Sequence, residues 1–303
     1  MVKRLLDAQA SDLSGLSAKE KLESIKLSEG RVLVTENIGA FPPILGDVSN
    51  AELATAMGSD ILLFNLFDVD KNIINGIVSD QPLKKVKELT NRLIGVNLEP
   101  ALEIEEDDDN FWKLTKGRLA TLENVQKLID QEVDILVLTA NPGTGITNTD
   151  LFNAIKKIKE KFGNKIIIAS GKMHSAGSLT ENGENLLSEE VVIDFIKAGT
   201  DIVMIPAPGT VPGFDLENVK KYVNLIHEYD KICLTAIGTS QEGADKDTIR
   251  TIALNSKMSG TDMHHIGDSG LSPGLASPEN IMTYSFAIKG KRHTFRRIAR
   301  RNY

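Results

Sequence analysis

The sequence predicts a single (β/α)8 barrel over its 303 residues, and three observations carry that expectation. Strand-like and helix-like stretches alternate strictly through eight units. Alternation of this kind means parallel strands joined by helical crossovers, and eight units suffice to close a barrel. The strand starts carry a second regularity. Asp60, Asp134, Asp201 and Asp262 open the even strands, three of them directly after Gly-Ser or Gly-Thr, while Arg31, Arg92, Lys165 and Lys231 open the odd ones. Third, Gly/Ser loops at 238–243 and 267–270 end the last two strands, where many barrels hold a phosphate. A doubly wound open sheet uses the same units and is the competing architecture.

Taken in order, residues 1–29 read as a helical extension that covers the barrel bottom, with Ser17 capping the helix AKEKLESIKL. The barrel domain follows over 30–303. Strands are expected near 31–37, 60–66, 92–99, 133–140, 165–171, 201–206, 231–237 and 261–266. Helices are expected near 50–57, 82–91, 121–131, 149–162, 188–198, 215–229, 246–258 and 278–300, the seventh capped by Asp245 or Asp247. The charges at the strand starts read as structural, since the bottom face of a barrel serves stability.

Composition excludes several functions. A net charge of -7 opposes general nucleic-acid binding. Cys233 is the only cysteine, so neither a disulfide framework nor a Cys-based zinc site is expected. No apolar run is long enough for a membrane span and the start lacks a signal-peptide core, so a cytoplasmic protein is expected. No Walker loop and no GxGxxG helix opening occur, and neither NAD nor haem is expected.

Side chains alternate faces along a strand, so the strand starts set a register. Counting from them sends Val32, Val34 and Glu36 inward, and likewise Asn65, Asn97, Thr139 and His265 near the upper strand ends. Strand five, counted from Lys165, sends Ile166, Ile168 and Ser170 inward, with Lys172 next. The candidate catalytic set is therefore Glu36, Asn65, Asn97, Glu99, Lys172, His174 and His265. Carboxylates and imidazoles exchange protons, amides orient a substrate, and a lysine grips an anion or forms an imine. Lys172 is expected to pair with Glu99 and to grip an anion. Asn141, Gly238, Thr239, Ser240, Gly267, Asp268, Ser269 and Gly270 are the candidate phosphate-binding residues, since glycine lets backbone N–H groups approach an anion. The cofactor is unknown; if a metal serves, Mg2+ is the candidate, with Glu36, Asp68 and Glu99 as its ligands. His264 faces the helices and is expected to make a structural hydrogen bond.

Other stretches are less specific. Asp68-Val69-Asp70 matches the DxD opening of haloacid-dehalogenase phosphatases but lacks the continuation. The Pro-Gly loops at 141–145 and 207–213 offer backbone donors or ordinary turns. The acidic run 103–109, with Phe111 and Trp112, reads as a solvated loop or a lid. The basic C-terminal helix with Phe295 and Ile298 reads as a solvated end, a subunit contact in a homo-oligomer, or a site for an acidic partner.

The run GTSQEGADKDTIR, with HHIGD and GKRHTFRR, resembles a bacterial family of TIM-barrel proteins of uncharacterised function, over essentially the whole chain. Its members carry loose labels such as phosphoenolpyruvate phosphonomutase-like or haloacid-dehalogenase-like. The resemblance implies a barrel in the cytoplasm and transfers no catalytic residues. The mutase and isocitrate-lyase group carries a Lys-x-Cys-Gly-His loop, whereas the segment here, SGKMHSAG, has no cysteine. The expectation is thus an enzyme acting on a small phosphorylated or anionic metabolite by lyase, aldolase or isomerase chemistry. Its rivals are a phosphate-ester hydrolase and a barrel that senses a ligand without turnover.

Overall fold

Eight parallel strands close on themselves in the computed structural model, paired in sequence order from β1 round to β8 and back to β1. They are β1 (Val32–Ile38), β2 (Ile61–Asn65), β3 (Leu93–Asn97), β4 (Ile135–Thr139), β5 (Ile167–Gly171), β6 (Ile202–Pro206), β7 (Ile232–Ile237) and β8 (Met263–Ile266). The structure describes residues 1–101, 114–141, 145–175, 178–179 and 185–299. The acidic run 103–109 with Phe111 and Trp112, positions 142–144 of the first Pro-Gly loop, and residues 300–303 lie outside these.

Two short helices, α1 (Ala10–Leu13) and α2 (Ala18–Lys26), precede the barrel. Ser17 accepts the Glu20 N–H and Glu20 reaches back, a reciprocal cap that starts α2. The crossovers are α3 (Asn50–Ala56), α4 (Pro82–Thr90), α5 (Leu122–Asp130), α6 (Asn148–Phe162), α7 (Glu189–Ala198), α8 (Leu216–Glu228) and α9 (Lys246–Ser259), followed by α10 (Pro278–Ala299). Asp245, not Asp247, caps α9. One apolar core fills the space between strands and helices. A second fills the barrel, where Val32, Leu93, Ile232 and Met263 meet Leu5, Leu13 and Ile25 of the N-terminal segment, which plugs the bottom.

The aspartates at the even strand starts are a repeated device. Asp60 donates its N–H to the Leu33 carbonyl, and its carboxylate accepts the Leu33 N–H at 2.9 Å. Asp134 does the same with Ile94, Asp201 with Ile168 and Asp262 with Cys233. Each even strand is thereby pinned in register to the odd strand before it. The balancing cations come mostly from helices rather than from the odd strand starts. Lys21 and Lys87 each lie 2.8 Å from Asp134, Lys159 lies 2.9 Å from Asp201, and His227 lies 2.9 Å from Asp262.

This device exposes a one-residue error in the expected register of strand five. Ile167 pairs with Ile135, and Ala169 with Ile202. Ile167 and Ala169 therefore join the barrel interior, while Ile166 and Ile168 belong to the outer core. Ser170 faces the helices, its hydroxyl 2.7 Å from that of Thr200. Gly171 takes the inward position, where a Cβ would stand 1.9 Å from the Met204 carbonyl oxygen, so no side chain fits there.

The basic C-terminal helix folds onto its own barrel. α10 breaks at Gly290 (φ 70°), and the second half places Arg297 against Asp60 at 3.1 Å. Lys289 also pairs with Asp60, and Arg297 donates to the Ala8 carbonyl at 2.8 Å. The tail is thus neither a free solvated end nor wholly available to a second subunit, although Phe295 remains 52% exposed. Truncation after Gly290 removes Arg297 from a buried ion network, and breaking such a network costs about 3–5 kcal/mol. The melting temperature is expected to fall by at least about 5 °C; an unchanged scanning-calorimetry trace would show that the tail contributes nothing to the fold.

Candidate functional site

The upper strand ends converge on a buried polar group whose hub is Glu36. Glu36 closes β1 from inside and is 6% exposed; His265, on the neighbouring β8, is 0% exposed. Nε2 of His265 lies 3.0 Å from Oε2 of Glu36, yet neither ring nitrogen has an aligned hydrogen-bond partner. On β2 and β3 the amides form a chain. Asn97 donates to Oδ1 of Asn65 at 3.2 Å and to Oε1 of Glu99 at 2.8 Å, and its own Oδ1 is left unpartnered.

Burial raises the Glu99 carboxyl, a shift moderated by Arg118 and the Asn97 hydrogen bond and reinforced by Glu36. Arg118, rather than Lys172, is the cation that acts most strongly on Glu99. The short 3-10 turn Lys116–Arg118 brings it there, because the Glu99 N–H donates to the Arg118 carbonyl at 2.8 Å. The corrected register gives Lys172, which is 3% exposed, the parity of Ser170 instead of the inward parity expected. Asn141 accepts the N–H of Met173 at 2.9 Å and so shapes the loop after β5. In that loop burial lowers the His174 pKa, partly offset by Glu36.

Asp68 is committed to its own turn. It accepts from the N–H groups of Asp70 and Lys71 and from the Thr115 hydroxyl at 2.7 Å. Although burial would raise its carboxyl, those bonds hold it below the usual carboxylate range. Glu36, Asp68 and Glu99, the residues named for an Mg2+ ion if a metal serves, are not gathered as one group; among the described residues no group of three His, Cys, Asp or Glu side chains is placed to hold a metal ion.

The loops after β7 and β8 do come together. A Cβ on Gly243 would stand 3.0 Å from the Gly270 carbonyl oxygen, and one on Gly238 would stand 3.8 Å from the His174 ring. Several of their donors, however, already have partners. Gly243 N–H donates to the Ser240 carbonyl and Gly270 N–H to that of Leu275. Thr239 donates to the Thr210 carbonyl at 2.9 Å, and Ser269 donates to Asp268 at 2.9 Å. Ser240 sits in the left-handed region (φ 77°) and opens the short turn Gln241–Gly243. That turn lays the Glu242 carboxyl against Gly267, where a Cβ would lie 3.2 Å from its Cδ and Oε1. A carboxyl of the chain itself thus occupies the glycine-lined niche between the loops. Burial raises the Glu242 carboxyl, while its own N–H, His265 and the Ser240 N–H favour the charged form.

Glu242 and Arg118 are the site residues that the sequence reading missed. Glu242 stood in the highlighted loop, and an acid inside a Gly/Ser loop is a signal against phosphate. Nothing in the sequence pointed to Arg118. His264, as expected, faces the helices, with Nε2 3.0 Å from the Gly30 carbonyl; burial lowers its pKa to about 4.

Burial and then Glu36 push the Asp268 carboxyl up to about 7, with Glu242 adding to the rise. That is above the value of about 3.9 for an unfolded aspartate, so the native state holds the proton longer. The stability that Asp268 contributes is therefore fully present below about pH 4 and is lost as pH rises through about 7. Asp268→Asn should gain urea-midpoint stability over the wild type progressively between those pH values and then level off. A gap independent of pH would contradict this placement.

A cavity of about 760 Å³ opens at the opposite end, lined by Leu16, Lys21, Lys84, Lys87, Arg92 and neighbours. Of its lysines, Lys21 and Lys87 are engaged by Asp134 and Lys84 by Glu132. The orphaned buried polar atoms of Glu242, His265 and Asn97 are at the mouth, and the candidate site is placed there.

The closed ring of eight strands defines a (β/α)8 barrel, a fold whose enzymes place their active sites at the C-terminal strand ends. The chain belongs to the family described as "Domain of unknown function (DUF7916)", whose model matches residues 6–302. No curated protein matches it. Among solved structures it is similar to thiamine phosphate pyrophosphorylase from Pyrococcus furiosus, at 13% identity and a TM-score of 0.49, over 89% of this chain and 98% of that one. No helix of the described residues is long and apolar enough to cross a membrane.

Proposed function

We propose that the protein is an enzyme of the lyase or isomerase type that moves a proton on a small metabolite bound in the barrel mouth, with Glu36 and His265 as its acid–base pair. The observation that carries this reading is the 3.0 Å contact between two buried titratable side chains whose imidazole nitrogens have no aligned partner. A buried polar atom without a partner costs free energy comparable to a lost hydrogen bond, so a site that keeps several is arranged for a ligand that satisfies them. In this reading Glu36 takes a proton from the substrate, His265 holds the carboxylate in place and returns a proton, and Asn65 and Asn97 orient the reacting group. A phosphorylated substrate held by the last two loops has less support, since the donors described above are engaged and Glu242 fills the niche.

The test is to incubate the full chain with a broad metabolite library in D2O and follow deuterium uptake and new products by mass spectrometry. Exchange into at least one metabolite is expected. Saturable binding with no exchange anywhere in the library would instead make this a ligand-sensing barrel.

A further inference from the structure

We propose that the metabolite handled at this mouth carries a protonated amine, which seats against Glu242 and Asp268 between the loops that follow β7 and β8. The inference rests on the acid–base reading above and names the class of its substrate. Its first support is the identity of the orphaned atoms. Oε2 of Glu242, in a residue only 4% exposed, and Oδ1 of Asn97 are both buried acceptors without a donor. Neither ring nitrogen of His265, which acts on Glu242, has an aligned hydrogen-bond partner. A ligand that satisfies these acceptors must bring hydrogen-bond donors, which an ionised carboxylate or a fully deprotonated phosphate lacks.

The second support is charge. Glu36 acts on Glu99, Glu242 and Asp268, Glu242 also acts on Asp268, and Arg118 is under the influence of Glu99 and Asp68. No lysine or arginine is among the groups acting most strongly on Glu242 and Asp268. Crowded carboxylates disfavour one another's charge, and a cation placed among them relieves that cost. An ammonium group does so with three donors that can be shared between Glu242 and Asp268. Among the described residues no group of three His, Cys, Asp or Glu side chains stands here to supply that charge balance with a metal ion.

The experiment measures thermal shift and calorimetric binding of the full chain with ethanolamine and putrescine as amine probes. Ethylene glycol serves as the uncharged control, with inorganic phosphate and MgCl2 as the competing chemistries. Saturable stabilisation by an amine is expected, at least 10-fold weaker in both Glu242→Gln and Asp268→Asn and absent with ethylene glycol. If Glu242→Gln does not fold, Asp268→Asn decides alone. The proposal is overturned if phosphate or Mg2+ stabilises while the amines do not, or if amine binding survives both substitutions. Failure of the two readings is distinguishable. Amine binding without exchange of any metabolite leaves this inference standing and removes the enzyme; exchange confined to amine-free metabolites does the reverse.

Discussion

Replacing Asp60 by alanine is expected to cost about 3–5 kcal/mol of stability, the range for removing one partner of a buried ion pair. The chain then unfolds at a much lower denaturant concentration. Asp60 is fully buried, and its carboxylate is shared by Lys289, Arg297 and the Leu33 N–H. Without it two buried cations lose their counter-charge, while Arg92, close by, is itself held down to about 9 by burial and by Arg297. Burial alone would raise the Asp60 carboxyl, but the two cations outweigh it and hold it below the ordinary value. Its contribution is therefore complete above about pH 4, the unfolded value, and is lost only as pH falls through the lower folded one. An alanine variant with a urea midpoint equal to the wild type would show that α10 closes the barrel by apolar packing alone.

At the other end of the barrel, Glu36→Gln is expected to lower the rate of deuterium exchange about 10²- to 10⁴-fold, the usual contribution of a positioned acid or base. The substitution keeps the shape and one acceptor, so stability should change little while proton transfer is lost. Glu36 is the group whose charge is felt by Glu99, His174, Glu242 and Asp268. The same substitution should therefore shift the pH dependence of whatever activity remains, a readout that loss of packing alone would not produce.

How much of this was legible in the sequence depends on how sharply each segment's pattern was written. The recurring aspartates gave the register of the four even strands, and Arg31, Arg92 and Lys231 that of three odd ones, because a polar residue at an otherwise apolar strand start is a clear mark. Strand five failed for the opposite reason. Ile166, Ile167 and Ile168 are all apolar, so nothing in the run says which faces inward, and Lys165 was mistaken for the marker. A slip of one residue exchanges the faces, and it carried Ser170 and Lys172 with it. Glu36, Asn65, Asn97 and His265 were legible because alternation places polar residues above apolar ones on those strands. The pairing of Glu99 with Arg118 was not, since it depends on a connection whose path joins residues distant in sequence. The carboxyl of Glu242 was hidden by its surroundings, because a Gly/Ser loop reads as a donor-rich cradle until the turn that fills it is seen. The basic tail was legible only in part: its composition suggested solvent or a partner, and nothing in it marked Arg297 as the partner of Asp60.

The most direct test of the acid–base account is deuterium uptake from D2O into a metabolite, compared between the wild type and Glu36→Gln under identical conditions. The account predicts exchange catalysed by the wild type and reduced at least about 100-fold in the variant, with unfolding midpoints that agree. Exchange at an undiminished rate in a folded Glu36→Gln protein would contradict it.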